Sequence, residues 1–352
     1  MKTLEDLPIQ EGSRVLVRLD VNVPITDGII HDDFRIAESV PTIRYLAQKK
    51  AKCVVVGHLG RPDGKAQKEF SLQPIAKRLG ELLGKGVRFI EEPIGETLHK
   101  HIEQMKPGEV ILLENIRFYP GEEQNDETFA KQLAQLADFY VNDAFGACHR
   151  AHASIAGVAK HLPSAAGLLL QKEVEVLAQI RERPEKPMIV IVGGTKVETK
   201  ASFLAHISKN ADAILLGNLI SREAKEKGLQ VAPSAEIVYA EDSIPGNGEE
   251  FDIGPQTLEL FLSKLKGSRT VFWAGPLGKI EEEQYEKGSL AIANAILQSG
   301  AYAVAGGGDL AAFLNKHNLR EKFAHVSTGG GAMLAFLAGE ELPGLKALEF
   351  QV

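Results

Sequence analysis

Five arginines in the first half of the chain stand where an anion could be gripped. Arg18, Arg61, Arg117 and Arg150 follow short runs with strand character, and Arg35 opens a helical pattern behind Asp32-Asp33. Guanidinium groups that converge on one cleft bind phosphate or carboxylate through bidentate, charge-assisted hydrogen bonds. Asp20 and Asn22, in Arg18-Leu19-Asp20-Val21-Asn22-Val23-Pro24, could accept from hydroxyl groups. A small phosphorylated hydroxy acid would satisfy all of these groups. Cys148, His149 and His152 resemble metal-ligand spacing, but no second cysteine pair or carboxylate triad supports zinc.

The second half offers backbone instead. Gly193-Gly194-Thr195-Lys196-Val197-Glu198-Thr199-Lys200 follows an apolar run and precedes a helical one. Glycines at a strand-to-helix turn let N–H groups approach phosphate oxygens. Lys196 and Lys200 are four apart and can share one helix face. Gly306-Gly307-Gly308-Asp309 and Thr328-Gly329-Gly330-Gly331 repeat the device, and Asp309 could hold a Mg²⁺ that bridges phosphates. This is not a Walker A loop, which spaces its glycines more widely. Gly306-x-Gly308-x-x-Ala311 formally matches the dinucleotide fingerprint, but the acid expected at the end of the next strand is missing.

These turns need a scaffold of alternating strands and helices. Arg14–Leu19, Cys53–Gly57, Val87–Ile90, Val110–Leu113 and Phe139–Asn142 read as strands. Arg35–Lys49, Leu72–Leu83, Glu96–Met105 and Asp126–Gln135 have the three- and four-residue apolar spacing of helices. Such alternation is the mark of an α/β fold with a parallel sheet, whose ligands bind beyond the carboxyl ends of the strands. A charged helix, Gln171–Arg183, interrupts the series. Strands at Met188–Val192, Ala213–Leu216, Thr270–Trp273, Tyr302–Ala305 and His325–Ser327 resume it, while Ser221–Phe251 reads as polar and short of core. Two domains are expected, 1–170 and 171–341, with 342–352 returning to the first.

Composition narrows the classes. The chain has 352 residues, 44% hydrophobic and 25% charged, which suits a globular protein and excludes a disordered one. Its net charge is −7 and neither half is basic, which argues against nucleic-acid binding. The longest apolar run, Ala165–Leu170, is too short to span a bilayer, and Met1–Asp6 is not a signal peptide. Two cysteines suit a reducing cytosol, so a cytoplasmic protein is expected.

Taken in order, Arg18–Pro24, Asp32–Ile36, Gly57–Pro62, Glu114–Phe118, Val141–His152, Gly193–Lys200, Trp273–Gly278, Gly306–Asp309 and Ser327–Ala332 resemble phosphoglycerate kinases over essentially the whole chain. The resemblance implies two Rossmann-like domains joined by a helix hinge, and Mg²⁺-dependent phosphoryl transfer between ATP and the carboxylate of 3-phosphoglycerate. It implies a phosphoglycerate site of Asp20, Asn22, Arg35, His58, Arg61, Arg117 and Arg150. Lys196 and Arg35 would stabilise the phosphoryl in flight, helped by the backbone at Gly329 and Gly330. Gly193, Gly194, Lys200, Glu281 and Gly306–Asp309 would hold the nucleotide, with Glu281 on the ribose and Asp309 on the metal. The partners would be ATP, ADP and 3-phosphoglycerate, bound by a monomer that touches neither nucleic acid nor membrane.

The nucleotide half departs from the family in four places. Ala274 stands where the family has Asn, Leu310 where it has Thr or Ser, and Met333-Leu334-Ala335 where it has Ser-Leu-Glu. The chain is also shortened around 218–235, which normally helps wall the adenine pocket. These changes leave open a homologue that binds phosphoglycerate but transfers poorly.

Overall fold

The computed structural model describes residues 1–350 apart from 195–199, 230 and 247–248. It divides into two compact units, Met1–Val174 together with the segment from Glu341 onwards, and Glu175–Glu340. The division falls inside one helix, Leu168–Glu182, which starts three residues before the charged stretch suggests.

The first unit is built on strands β1 (Arg14–Leu19), β2 (Lys52–Val56), β3 (Arg88–Ile90), β4 (Val110–Leu113), β5 (Phe139–Asp143) and β6 (Ser164–Ala166). They form one parallel sheet in the order β3-β4-β2-β1-β5-β6. Helices α1 (Phe34–Gln48), α2 (Gln73–Leu83), α3 (Glu96–Glu103) and α4 (Glu127–Ala134) cover it. Because side chains alternate across a strand, Val15, Val17 and Leu19 enter one apolar cluster and Leu16 the other, on the opposite face. Arg18 shares the face of Leu16 and is therefore buried completely. The C-terminal segment belongs to this unit: Gly344 N donates to Cys148 O at 2.9 Å, and Leu342, Leu345 and Leu348 are buried.

The second unit has strands β7 (Met188–Val192), β8 (Ala213–Leu216), β9 (Glu236–Tyr239), β10 (Thr270–Ala274), β11 (Tyr302–Gly306) and β12 (His325–Ser327). Their order is β9-β8-β7-β10-β11-β12, again all parallel. Sequence order reverses between β7 and β10, and open α/β sheets bind ligands at such a switch point. The helices α5 (Asn218–Lys227), α6 (Pro255–Leu265), α7 (Lys287–Ser299), α8 (Gly308–Lys316) and α9 (Gly330–Leu337) follow in this unit, α8 after β11 and α9 after β12.

Two strands of the six-stranded sheets escape the sequence reading, as do the short hairpin strands at 25–30 and 243–253. β6 is a three-residue edge strand, Ser-Ala-Ala, without β-branched residues. β9 is the opposite edge of the second sheet and buries only Val238 fully. The polar stretch 221–251 is also more ordered than expected. It carries most of α5, β9 and an antiparallel hairpin, Ser243–Gly246 with Glu249–Ile253. Among the described residues no helix is long and apolar enough to cross a membrane.

Candidate active site

In the first unit the loops after β1, β2 and β4 are tied together by polar side chains. Asn22 Oδ1 accepts from Gly60 N at 3.0 Å, and Arg117 Nη1 donates to Gly60 O at 2.7 Å. Arg35 Nη1 donates to Asn22 O at 2.8 Å and stands 3.7 Å from Asp20 Oδ2. Asn115, fully buried, donates to Leu59 O and Phe70 O and accepts from Arg117 N, which fixes the turn that carries Arg117.

The cationic character of this cluster is visible in its histidines. Burial, and then the charges of Arg18, Arg117, Arg150 and Arg35, hold the His58 imidazole well below its ordinary value. Burial and Arg117, Arg18 and Arg150 lower His152 to about 4. Arg117 itself is lowered by burial to about 10 and so stays charged at neutral pH. An ion pair of 3.1 Å to Glu123, without the alignment of a hydrogen bond, is its nearest counter-charge. Four arginines thus act on one neutral histidine. Arg61 differs: it is exposed and has no hydrogen bond or ion pair to a described residue.

Arg18 corrects the sequence reading. Its position after a strand suggested a ligand-binding group, yet it lies within β1, is fully buried, and each of its three nitrogens is bonded to protein. Nε donates to Ser154 Oγ at 2.9 Å, Nη1 to Leu19 O, and Nη2 to His58 Nδ1 at 2.9 Å. The sequence also gave no sign of Glu122. It reads as an ordinary first-turn acid, but it is completely buried and accepts from Ser154 N and Ser154 Oγ at 2.8 and 2.6 Å. Cys148 is no nucleophile: it is fully buried, and burial pushes its thiol up to about 12.

The second unit presents backbone around a cavity of about 630 Å³. Gly194, Asn218, Phe251, Pro276, Glu281 and Asp309 are among its lining residues. At the switch point Gly193 passes so close to the next loop that a Cβ there would lie 1.9 Å from Pro276 O. Lys200 Nζ donates to Gly193 O at 2.8 Å. Gly307 has φ of +111°, a left-handed conformation that favours glycine, and lets α8 start with Asp309 exposed in its first turn. A Cβ on Gly308 would meet nothing within 4 Å, and one on Gly330 only Gly307 Cα at 3.9 Å. The two glycine triplets therefore face shared open space. Gly306 is packed on Met333, and Gly329 N donates to Ser327 Oγ at 3.2 Å. Lys196 lies outside the described residues.

The departures noted in the sequence fall on packed positions. Leu310 and Ala274 are buried to 0% and 2% exposure, and neither lines the cavity. Asn218, Leu219 and Arg222 of the shortened region 218–235 line the cavity, and a later hairpin supplies another wall. Phe251, from the 243–253 hairpin, stacks edge-on against Tyr285 and sits under Lys279 Nζ at 4.7 Å. Beneath that wall Asp252 accepts from Gly288 N and Ile253 N, and burial raises its carboxyl to about 6. Neither Phe251 nor Asp252 stood out in the sequence, where both fall in or beside the polar stretch.

Comparison with known proteins spans both units. The family model described as phosphoglycerate kinase matches residues 4–234 and 223–340. A phosphoglycerate kinase of Dictyoglomus turgidum is 44% identical and that of Thermosipho africanus 42%, each alignment covering at least 97% of both chains. The first alignment runs over 392 positions against 352 residues here, so that relative carries at least forty residues with no counterpart in this chain. Among solved structures, phosphoglycerate kinase from Pyrococcus horikoshii superposes with a TM-score of 0.87 at 32% identity, and that from Coxiella burnetii with 0.82 at 35%. Both cover 99% of this chain and 98% of their own.

Proposed function

The chain belongs to the phosphoglycerate kinase family, and on that premise we propose that it transfers a phosphoryl group reversibly between ATP and the carboxylate of 3-phosphoglycerate. The first unit would hold phosphoglycerate through Asp20, Asn22, Arg35, His58, Arg61, Arg117 and Arg150. The second would hold the nucleotide through Gly193, Gly194, Lys200, Glu281 and Gly306–Asp309. One observation carries this reading: a cluster of arginines around a neutral histidine in one unit accompanies a glycine-floored cavity, edged by Asp309 and Glu281, in the other.

The chemistry asks little of the protein beyond position and charge. A carboxylate is already an adequate nucleophile, so no base is required. Arg35 and Lys196 would stabilise charge on the phosphoryl in flight, and backbone donors at Gly329 and Gly330 would add to it. Asp20 and Asn22 would orient the substrate hydroxyl. Exclusion of water would protect the acyl phosphate.

Mg²⁺ fits the donor set. Among the described residues no three His, Cys, Asp or Glu side chains cluster to form a cage. A single exposed carboxylate, Asp309, beside the nucleotide phosphates is the arrangement this ion accepts. When bound, Mg²⁺ supplies charge neutralisation across the phosphate oxygens. The acidic net charge argues against a nucleic-acid partner, two cysteines suit a reducing cytoplasm, and the family resemblance favours a monomer.

The test is turnover. With ATP, Mg²⁺ and 3-phosphoglycerate, acyl phosphate formation is followed through a coupled dehydrogenase. Turnover well above a Lys196→Ala control is expected, and equality with that control would overturn the assignment.

A further inference from the structure

Beneath the arginine cluster runs a buried chain of polar groups that no substrate could reach. Tyr140, Ser154, Glu122 and Arg18 are all 0% exposed. A buried arginine is costly unless its charge is countered and its N–H groups are satisfied. Each of these groups has a determined role. Ser154 has one hydroxyl proton, and Glu122 Oε1 takes it at 2.6 Å. The Ser154 lone pairs are then left to accept from Arg18 Nε at 2.9 Å. Tyr140 OH holds the same segment by donating to Ser154 O at 2.6 Å. Arg18 Nη1 donates to Leu19 O and Nη2, at 2.9 Å, to His58 Nδ1.

The last bond has a chemical consequence. A guanidinium only donates, so His58 Nδ1 must accept and be unprotonated. With the imidazole neutral among arginines, its proton sits on Nε2. Without Arg18 in place, either tautomer would be accessible, and the Nδ1–H form would turn a lone pair toward an anion.

We propose that Glu122 is a positioning residue of the phosphoglycerate site: through Ser154 and Arg18 it holds His58 as the Nε2–H tautomer, so that the substrate meets a donor. The inference rests on the reading that His58 contacts phosphoglycerate. It differs from a packing role because the hydrogen bonds that run from Glu122 to His58 pass through Ser154 and Arg18.

The experiment is histidine ¹⁵N NMR on the ligand-free protein, with His58 assigned through His58→Gln. Wild type, Ser154→Ala and Glu122→Gln are compared, with folding checked by circular dichroism. Wild type should show Nε2 protonated and Nδ1 bare. Both variants should show tautomer averaging, and their KM for 3-phosphoglycerate should rise ~3- to 10-fold while kcat and KM for ATP hold. If Glu122→Gln fails to fold, Ser154→Ala carries the test alone. A wild-type Nδ1–H signal would overturn the proposal, as would folded variants that keep the Nε2–H spectrum. The tautomer is read without ligand. A protein that shows these spectra but binds no phosphoglycerate therefore supports the relay and overturns the substrate assignment alone.

Discussion

In the first unit the proposed anion site is built chiefly from charged side chains, and in the second the proposed nucleotide site draws more on glycine backbone. Arg35 and Arg117 are held by hydrogen bonds to loop carbonyls and His58 by Arg18, and the charges of Arg18, Arg117, Arg150 and Arg35 converge on that imidazole. Around the 630 Å³ cavity of the second unit Gly194, Gly217 and Gly278 bring backbone to the surface, beside side chains such as Asp309 and Glu281. A site of the first kind fails when one charged group is lost. A site of the second kind tolerates neighbouring side-chain changes but not an added methyl at a close approach. Ala274 and Leu310, where the sequence departs from the resemblance, lie in packed interior outside the cavity lining.

That contrast can be broken or sharpened, most forcefully at Gly193. A Cβ would collide with Pro276 O, so Gly193→Ala must displace the phosphate turn. We expect kcat/KM for ATP to fall ~10²-fold, with phosphoglycerate binding intact by calorimetry. Parallel loss of both ligands would contradict the division of labour. Next in size is Arg61→Ala. Arg61 is exposed and unpaired among described residues, so its removal leaves the fold alone. Phosphoglycerate affinity should drop ~10-fold and ADP affinity should not move, again by calorimetry.

Restoring the family residue by Leu310→Thr is expected to backfire. The side chain is fully buried, so a smaller, polar one should cost about 2 kcal/mol in denaturant unfolding without raising kcat. A gain in turnover would show that position 310 acts on the nucleotide after all. The smallest effect concerns acid. His152 is held at about 4 in the folded unit, below its ordinary value near 6.5. Between those values the unfolded chain binds a proton that the folded chain refuses, so stability falls as pH drops from 6.5 toward 4. The melting temperature of His152→Gln should therefore decline less over that window than that of wild type.

Much of this molecule was legible before any coordinates. The strand–turn–helix rhythm, the two glycine triplets and the arginines behind strand ends follow from local chemistry: period, backbone freedom and charge at given spacings. Ten of the twelve strands in the two parallel sheets announce themselves by β-branched or apolar runs; β6 and β9, short edge strands, exist only because neighbours pair with them. What needed the folded chain was the identity of groups acting through one another. Arg18 looked like a ligand arginine until alternation along β1 turned it into the interior. Glu122 and Ser154 are 32 residues apart and carry no motif, yet burial makes their bond with Arg18 compulsory. The wall supplied by Phe251 likewise arises where a hairpin folds back on residues near 279 and 285. Residue type and spacing specify which local interactions are available, whereas burial depends on the whole packing and decides which polar groups must find each other.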